Sequence, residues 1–425
     1  MRFRSLTLSF LLAAAPLAVP VAGWAHDSGD RGASHRDTIQ LGDRPFFLVE
    51  GLDESRLKSK LQRCENGPFR RSTFSISHRG APLQFPEHTQ EGYEAGARQG
   101  AGIVECDVTF TKDGELVCRH AECDLHTTTN IVATELNNKC SVPWNGAGSS
   151  PKCCTSDLTL QEFKSLQGKM DASNPNAMTA EGFLGGTADF RTDLYNSRGT
   201  LLTLREHIAL AKRLGVKHTP ELKEGDPQRI MTVFGGQENY AQRMIDAYRE
   251  ANVDPRDVYA QSFNKNDVLY WVRHEPRFGR QAVYLDDIDP TVSPPLPRIS
   301  LEELRELKRA GVRIIAPPIF ALLDVDANNR VVASQYAKDI RNTGFDIITW
   351  SFERADLRQG AGPAGLLLPV RSDQPRTEEG RRYVQGAGRA GAAGADPRDI
   401  FRLARNGHVL RELHGAGVGV TALTL

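Results

Sequence analysis

The chain has 425 residues, 40% hydrophobic and 25% charged, an ordinary globular composition with ample material for a large core. Its 53 basic and 53 acidic residues cancel, which argues against nucleic acid or an anionic membrane surface as partner, since both draw a basic excess. Length alone suggests two or three domains, but α/β barrels of about 250 residues or more occur as single units.

The first 25 residues read as a secretory signal. Arg2 and Arg4 precede the apolar run "LTLSFLLAAAPLAVPVAG", and "GWA" puts small residues three and one before a cleavage after Ala25. A single membrane anchor is the rival, but Pro16 and Pro20 and the shortness of the run oppose a stable span. No other stretch approaches the ~18 apolar residues that a spanning helix needs. The mature chain is therefore expected to begin near His26, secreted or periplasmic, with no stable membrane span.

Residues 26–70 read as polar and irregular, and a domain is expected over 71–425. Short β-rich runs then recur: "FSIS" (74–77), "GIVECDV" (102–108), "ELVCRH" (115–120), "VKHTPELK" (216–223), "VYAQSF" (258–263), "QAVYLD" (281–286), "VRIIAPP" (312–318), "DIITWSF" (346–352) and "VGVTALTL" (418–425). Helical patterns such as "TQEGYEAGARQG", "LTLREHIALAKRLG" and "SLEELRELKRAG" lie between them, with Gly near their ends. That alternation predicts a parallel sheet, and about eight units predict an α/β fold closed as a (β/α)8 TIM barrel. No G-x-G-x-x-G follows the first strand, so a dinucleotide fold has no support. Asp113-Gly114 predicts a hairpin joining the second and third runs, so the third is not a parallel barrel strand, and "VGVTALTL" completes the eight.

Seven cysteines are present, and Cys123, Cys140, Cys153 and Cys154 fall together in a Pro/Gly/Ser-rich insertion over about 121–200. In an oxidising compartment this predicts at least one disulfide among the four, stapling that insertion after the third strand. Zinc is the rival, but no Cys-x-x-Cys pair is present. The odd count leaves at least one thiol unpaired. The runs "RQGAGPAG" and "GAGRAGAAGADP" read as a mobile loop.

Ionisable residues gather at one end of the expected barrel. His78 and Arg79 follow the first strand. Glu105 and Asp107, two apart, share one face of the second, and Cys106 takes the other. Folding the hairpin about Asp113 is expected to set Glu105 opposite His120, and Asp107 opposite Cys118. Glu221 and Lys223 share a face of the next parallel strand. So many charges cannot be packed as ordinary core. Three carboxylates suit a hard divalent cation, Ca²⁺ or Mg²⁺. Arg79 and Lys223 suit a phosphate, and His78 and His120 suit acid–base work near neutral pH. Together they describe phosphodiester cleavage.

With "HRGA" and "PEHT" (78–89), "ECDVTFTKDGELVCRH" (105–120), "TPELK" (219–223), "QSF" (261–263) and "TW" (349–350) in order, the sequence resembles the glycerophosphodiester phosphodiesterase family, in its secreted branch. The resemblance implies a (β/α)8 barrel with a divalent metal, and hydrolysis of glycerophosphodiesters to sn-glycerol 3-phosphate and an alcohol. It implies His78 and His120 as catalytic, Arg79 on the substrate phosphate with Lys223 beside it, and Glu105, Asp107 and Glu221 as metal ligands. Glu87 either orients its loop or touches substrate. Phe263 and Trp350 either pack or line the barrel mouth against substrate. His88, His126, His207 and His218 lack such company and read as ordinary histidines. The C-terminus departs from the family, lacking the usual Thr/Ser-Asp-x-Pro strand and closing helix. A phospholipase-D-like enzyme on the same barrel, and a non-catalytic secreted binding protein, are the alternatives.

Overall fold

The computed structural model describes residues 39–51, 54, 56–288, 297–325, 331–351 and 420–423. The expected signal segment, the new N-terminus near His26 and both Gly/Ala-rich runs lie outside the described residues. The stretch expected to be irregular, 26–70, holds two short helices in its described part, Asp43–Glu50 and Arg56–Gln62.

Eleven strands follow among the described residues: β1 Ser72–Ser77, β2 Ala101–Phe110, β3 Leu116–Cys118, β4 Lys217–Leu222, β5 Gln261–Ser262, β6 Val283–Leu285, β7 Ile314–Ala316, β8 Leu323–Val325, β9 Val331–Ala333, β10 Asp346–Thr349 and β11 Val420–Leu423. The large sheet runs β1-β11-β10-β7-β6-β5-β4-β2-β3, and β1 also pairs with β2. Leaving out β3, eight parallel strands close on themselves, which is a (β/α)8 barrel. β11 pairs in parallel with both β10 and β1. The atypical C-terminus thus supplies the eighth stave.

Period-two alternation sorts the strands' side chains. Ile76, Ile103, Val283, Leu285, Ile314, Ala316 and Ile348 form one buried cluster contributed by five strands, the packed interior expected of a barrel. Outward neighbours such as Cys106, Val108 and Ile315 join a larger core with Tyr240, Met244, Trp271, Leu304 and Ile340 of the surrounding helices. Those helices form where the sequence punctuates them. Leu204–Leu214 opens on a capping box of Thr203 with Glu206 and stops at left-handed Gly215. Gln90–Arg98 and Leu301–Arg309 open on Thr89 and Ser300 as caps.

The hairpin forms, with β3 antiparallel to β2, but its register differs by one residue from the expected one. Val108 faces Cys118, and Thr109 faces Val117. Thr111 pairs with Glu115 across Lys112-Asp113-Gly114, its N–H 2.9 Å from the Glu115 carbonyl. A three-residue loop then sets Asp107 beside Arg119, whose N–H donates to the Asp107 carbonyl at 2.8 Å. Glu105 is therefore not opposite His120, nor Asp107 opposite Cys118. Cys118 instead shares the outer side with Cys106, and the two form a disulfide.

The insertion after β3 has its own small core of Leu125, Ile131, Phe163, Phe183 and Leu201. Disulfides Cys123–Cys154 and Cys140–Cys153 staple it, as expected, and Cys64 is the free cysteine. A further two-stranded ribbon, β8 with β9, has no counterpart in the sequence reading.

Candidate active site

His78 follows directly on β1, at the end of the barrel where (β/α)8 enzymes keep their chemistry. On β2, Glu105 and Asp107 both face inward, each 1% exposed. β4 pairs in parallel with β2 so that Glu221 is level with Asp107, and β5 sets Gln261 level with Glu221. Carboxylate oxygens of Glu105, Asp107 and Glu221 lie within 4.8 Å of one another. Two strands and a two-residue spacing suffice to gather them.

Each carboxylate has distinct partners. Gln261 Nε2 donates to Glu105 Oε1 at 2.8 Å, and the Arg79 backbone N–H to Oε2 at 3.0 Å. His78 Nε2 stands 3.7 Å from that same Oε2. Lys223 Nζ donates to Glu221. Asp107 Oδ2 accepts from His88 Nε2 at 2.9 Å, while Oδ1 is buried with no hydrogen-bond partner among the described residues.

Burial and mutual repulsion decide the charge states. Burial first, then Asp107, pushes the Glu105 carboxyl up to about 8, against the pull of His78 and Arg79. Burial likewise raises Glu221, with Lys223 opposing. Burial alone would raise Asp107 too, but the His88 proton with Lys223 and Arg79 holds it well below the carboxylate range. Burial and then the nearby Arg79 and Lys223 push His120 down to about 2, which leaves a neutral imidazole.

Arg79 reaches both sides of the mouth, its Nη1 3.1 Å from Glu87 Oε2 and its Nε 3.6 Å from Asp107 Oδ2. Glu87 is 1% exposed, and its carbonyl also accepts from the buried Arg119 guanidinium. Ligand atoms of Glu87, His120 and Asp124 lie within 4.8 Å of one another, so His120 joins the cluster through Glu87, the partner of Arg79. Lys223 Nζ sits 5.7 Å from the centre of the Phe263 ring, and Phe263 meets Trp350 edge-on at 5.8 Å. Trp350 Nε1 donates to the Ala316 carbonyl at 2.9 Å. All ten residues singled out from the sequence thus join one connected network at one mouth.

Two further residues belong to it. Gln261 was visible only as part of a short motif, and its period-two place on β5 is the signal for it. His88, read from sequence as ordinary, is fully buried against Asp107, and its nearness to His78 in one Gly/Pro-bounded loop is the only hint the sequence offers.

The glycerophosphoryl diester phosphodiesterase family matches residues 78–284, the span holding every one of these residues except Trp350. The chain belongs to that family. A protein from Arthroderma benhamiae described as an extracellular protein is 41% identical over 189 residues, 44% of this chain and 76% of that one. Glycerophosphodiester phosphodiesterase GDPD6 of Arabidopsis thaliana is 27% identical over 159 residues, and the match spans 37% of this chain and 38% of its own length. A solved structure from Silicibacter pomeroyi, a candidate glycerophosphoryl diester phosphodiesterase, superposes with a TM-score of 0.50 at 17% identity, covering 84% of this chain and 91% of that one. That likeness concerns the fold. The chain is an enzyme of the family, a phosphoric diester hydrolase acting on glycerophosphodiesters.

Proposed function

We propose that the chain hydrolyses glycerophosphodiesters to sn-glycerol 3-phosphate and an alcohol with His78 and His120 as its acid–base pair. The observation that carries this reading is the convergence of both histidines, Arg79 and Lys223 on three buried carboxylates at one barrel mouth. One histidine, as neutral imidazole, takes the proton of the attacking hydroxyl, from water or from the glycerol 2-hydroxyl. The oxygen freed in that way bonds to phosphorus, the bond from phosphorus to the alcohol oxygen breaks, and the other histidine, as imidazolium, gives its proton to the leaving oxygen. Where the 2-hydroxyl attacks, water then opens the cyclic phosphate to glycerol 3-phosphate, with the two histidines in exchanged roles. Arg79 and Lys223 hold the phosphoryl oxygens, the first through its planar fork and the second as a point charge.

The carboxylate set fits a divalent cation, Ca²⁺ or Mg²⁺. All three donors are oxygens, Asp107 Oδ1 is buried with no hydrogen-bond partner among the described residues, and burial and then Asp107 raise Glu105, a penalty that a bound cation would offset. Glu105, Asp107 and Glu221 would hold it. When bound, such an ion stabilises charge on the phosphoryl oxygens as a Lewis acid. Gln261 and the Arg79 backbone fix Glu105, and Glu87 fixes the Arg79 guanidinium. Glu87 therefore works as an orienting group.

A coupled assay for glycerol 3-phosphate release from glycerophosphocholine, with and without chelator, tests the reading. Absence of that product at any cation concentration would end it. The phospholipase-D-like alternative gains one observation. Leu194 is 75% exposed beside Tyr195, whose ring lies 4.6 Å from that of Phe85 in the His78 loop. Faster turnover of lysophosphatidylcholine than of glycerophosphocholine would favour it.

Three disulfides and the signal-like first 25 residues support a secreted or periplasmic protein. Residues 71–425 form its catalytic domain in this reading, with the insertion over about 121–200. No helix among the described residues is long and apolar enough to cross a membrane.

A further inference from the structure

His88 does no chemistry in the scheme above, yet its surroundings are those of a built site. It is 0% exposed, and both ring nitrogens are engaged, Nε2 with Asp107 Oδ2 at 2.9 Å and Nδ1 with the Tyr93 hydroxyl at 2.8 Å. Donor and acceptor roles follow from chemistry. An ionised carboxylate only accepts, so Nε2 carries the proton, Nδ1 is a bare acceptor, and the Tyr93 hydroxyl donates to it.

The backbone is committed to the same end. His88 has φ +54°, in the left-handed region that few residues other than glycine enter. Thr89 follows at once as the cap of helix Gln90–Arg98, its Oγ1 accepting from the Gly92 N–H at 3.3 Å. The cap fixes where Tyr93, one turn into that helix, stands relative to His88. A strained backbone, a capped helix and a buried hydroxyl together hold one imidazole in one tautomer.

Asp107 shows what that accomplishes. Its Oδ2 is occupied by His88, with Arg79 Nε near, while Oδ1 is buried and unpartnered among the described residues. We propose that His88 is a positioning residue that makes Asp107 a one-oxygen ligand, its Nε2–H holding Oδ2 and leaving Oδ1 for a divalent cation. The proposal rests on the metal reading above. Outer partners of metal ligands commonly set affinity by ~10–100-fold, because they fix orientation before the ion arrives.

Three variants separate the ring from its backbone. His88→Gly removes the imidazole and relieves the left-handed strain. His88→Asn tolerates that backbone and keeps an amide donor. Tyr93→Phe leaves His88 in place but frees its tautomer. Calorimetric titration of the intact chain with Mg²⁺ or Ca²⁺ alone, without substrate, gives the dissociation constants. His88→Gly is expected to bind the cation ~10–100-fold more weakly, with the other two between it and wild type. The cation concentration for half-activity should rise in step, while KM for glycerophosphocholine at saturating cation stays near the wild-type value. A His88→Gly variant with wild-type affinity and unchanged circular dichroism would overturn the proposal. If that variant does not fold, wild-type affinity in both His88→Asn and Tyr93→Phe overturns it equally. A wild-type chain that binds no divalent cation would instead strike the metal reading itself, and this inference with it.

Discussion

The backbone N–H of His88 donates to the carbonyl of Arg79 at 2.9 Å, and both residues have left-handed backbone, φ +54° and +57°. This one bond closes the loop after β1 on itself. The phosphate-side cation is thereby tied to the residue that grips Asp107. Two strained residues that bond to each other hold only if the loop around them is over-determined. Gly80 supplies part of that constraint, with φ +98° and a position where a Cβ would lie 2.9 Å from the Gly92 backbone.

Gly80→Ala is therefore expected to lower stability by about 1–3 kcal/mol, since it adds both left-handed strain and a backbone clash. It should also lower turnover, because the loop that moves carries His78 and Arg79. Urea melts of the two proteins check this. An unchanged midpoint with unchanged turnover would mean that the loop yields without consequence.

His78→Ala and His120→Ala should each reduce turnover by ~10²–10⁴-fold, the usual contribution of a general acid or base. Circular dichroism should not change, since neither side chain holds the barrel's apolar interior together. Near wild-type turnover in one variant would remove that histidine from the reaction.

Most of this mouth was legible because strands impose a period of two. Glu105 with Asp107, and Glu221 with Lys223, could be placed on shared faces without coordinates. His88 could not, because its contact with Asp107 spans nineteen residues and depends on a left-handed turn that no periodicity encodes. The hairpin was foreseen from Asp113-Gly114, but a register counted one residue off hid the Cys106–Cys118 bridge. β8 and β9 went unseen for a different reason. Three-residue strands in "LLDVDANNRVVA" are too short for alternation to stand out.

A cation should stabilise the folded chain even without substrate. An ion at 100 times its dissociation constant adds about 2.7 kcal/mol to unfolding by mass action. Glu105→Gln replaces a carboxyl whose ionisation burial and Asp107 oppose, so its melting temperature without cation should match or exceed that of wild type. Its response to Ca²⁺ or Mg²⁺ should be largely lost. Equal cation-induced shifts in both proteins would take Glu105 out of the ligand set.

The cysteine pairing predicts one reactive thiol. Six cysteines are joined as Cys106–Cys118, Cys123–Cys154 and Cys140–Cys153, and exposed Cys64 remains. Alkylation of denatured, unreduced protein should therefore label one site, and peptide mapping should find it at Cys64. Replacing Cys106 and Cys118 together by Ala should cost about 2–5 kcal/mol, as loss of a native disulfide usually does. It should also disturb His120, two residues beyond Cys118, more than the insertion's own bridges would. Labelling of any other cysteine before reduction would break the pairing scheme.

Acid should destabilise the protein through a pair of buried histidines behind the site, one of which packs against Tyr93 with ring centres 4.5 Å apart. His207 and His218 are buried with ring centres 6.3 Å apart, and neither His207 nitrogen has a hydrogen-bond partner among the described residues. Burial first, then His218, pushes His207 well below the ordinary value, and burial pushes His218 down to about 4. In the unfolded chain both titrate near 6.5. A folded-state value below the unfolded one means that the unfolded chain binds protons first as pH falls. Stability is then complete above about 6.5 and declines below it, by up to about 1.4 kcal/mol per pH unit for each histidine. For His218 the decline ends once pH passes about 4, where the folded form also protonates. Asp124, Asp267 and Asp286, each pushed up to about 6 by burial, act in the opposite sense, because the folded state takes their protons first. The two effects separate in a difference measurement. His207→Phe removes an imidazole that makes no hydrogen bond, so at pH 8 it should be close to neutral or slightly stabilising. Between pH 6.5 and 5 the variant should gain on wild type with each step down. Urea unfolding of both proteins across that range checks it, and a constant difference from pH 8 to 5 would show that His207 is not held neutral by its burial.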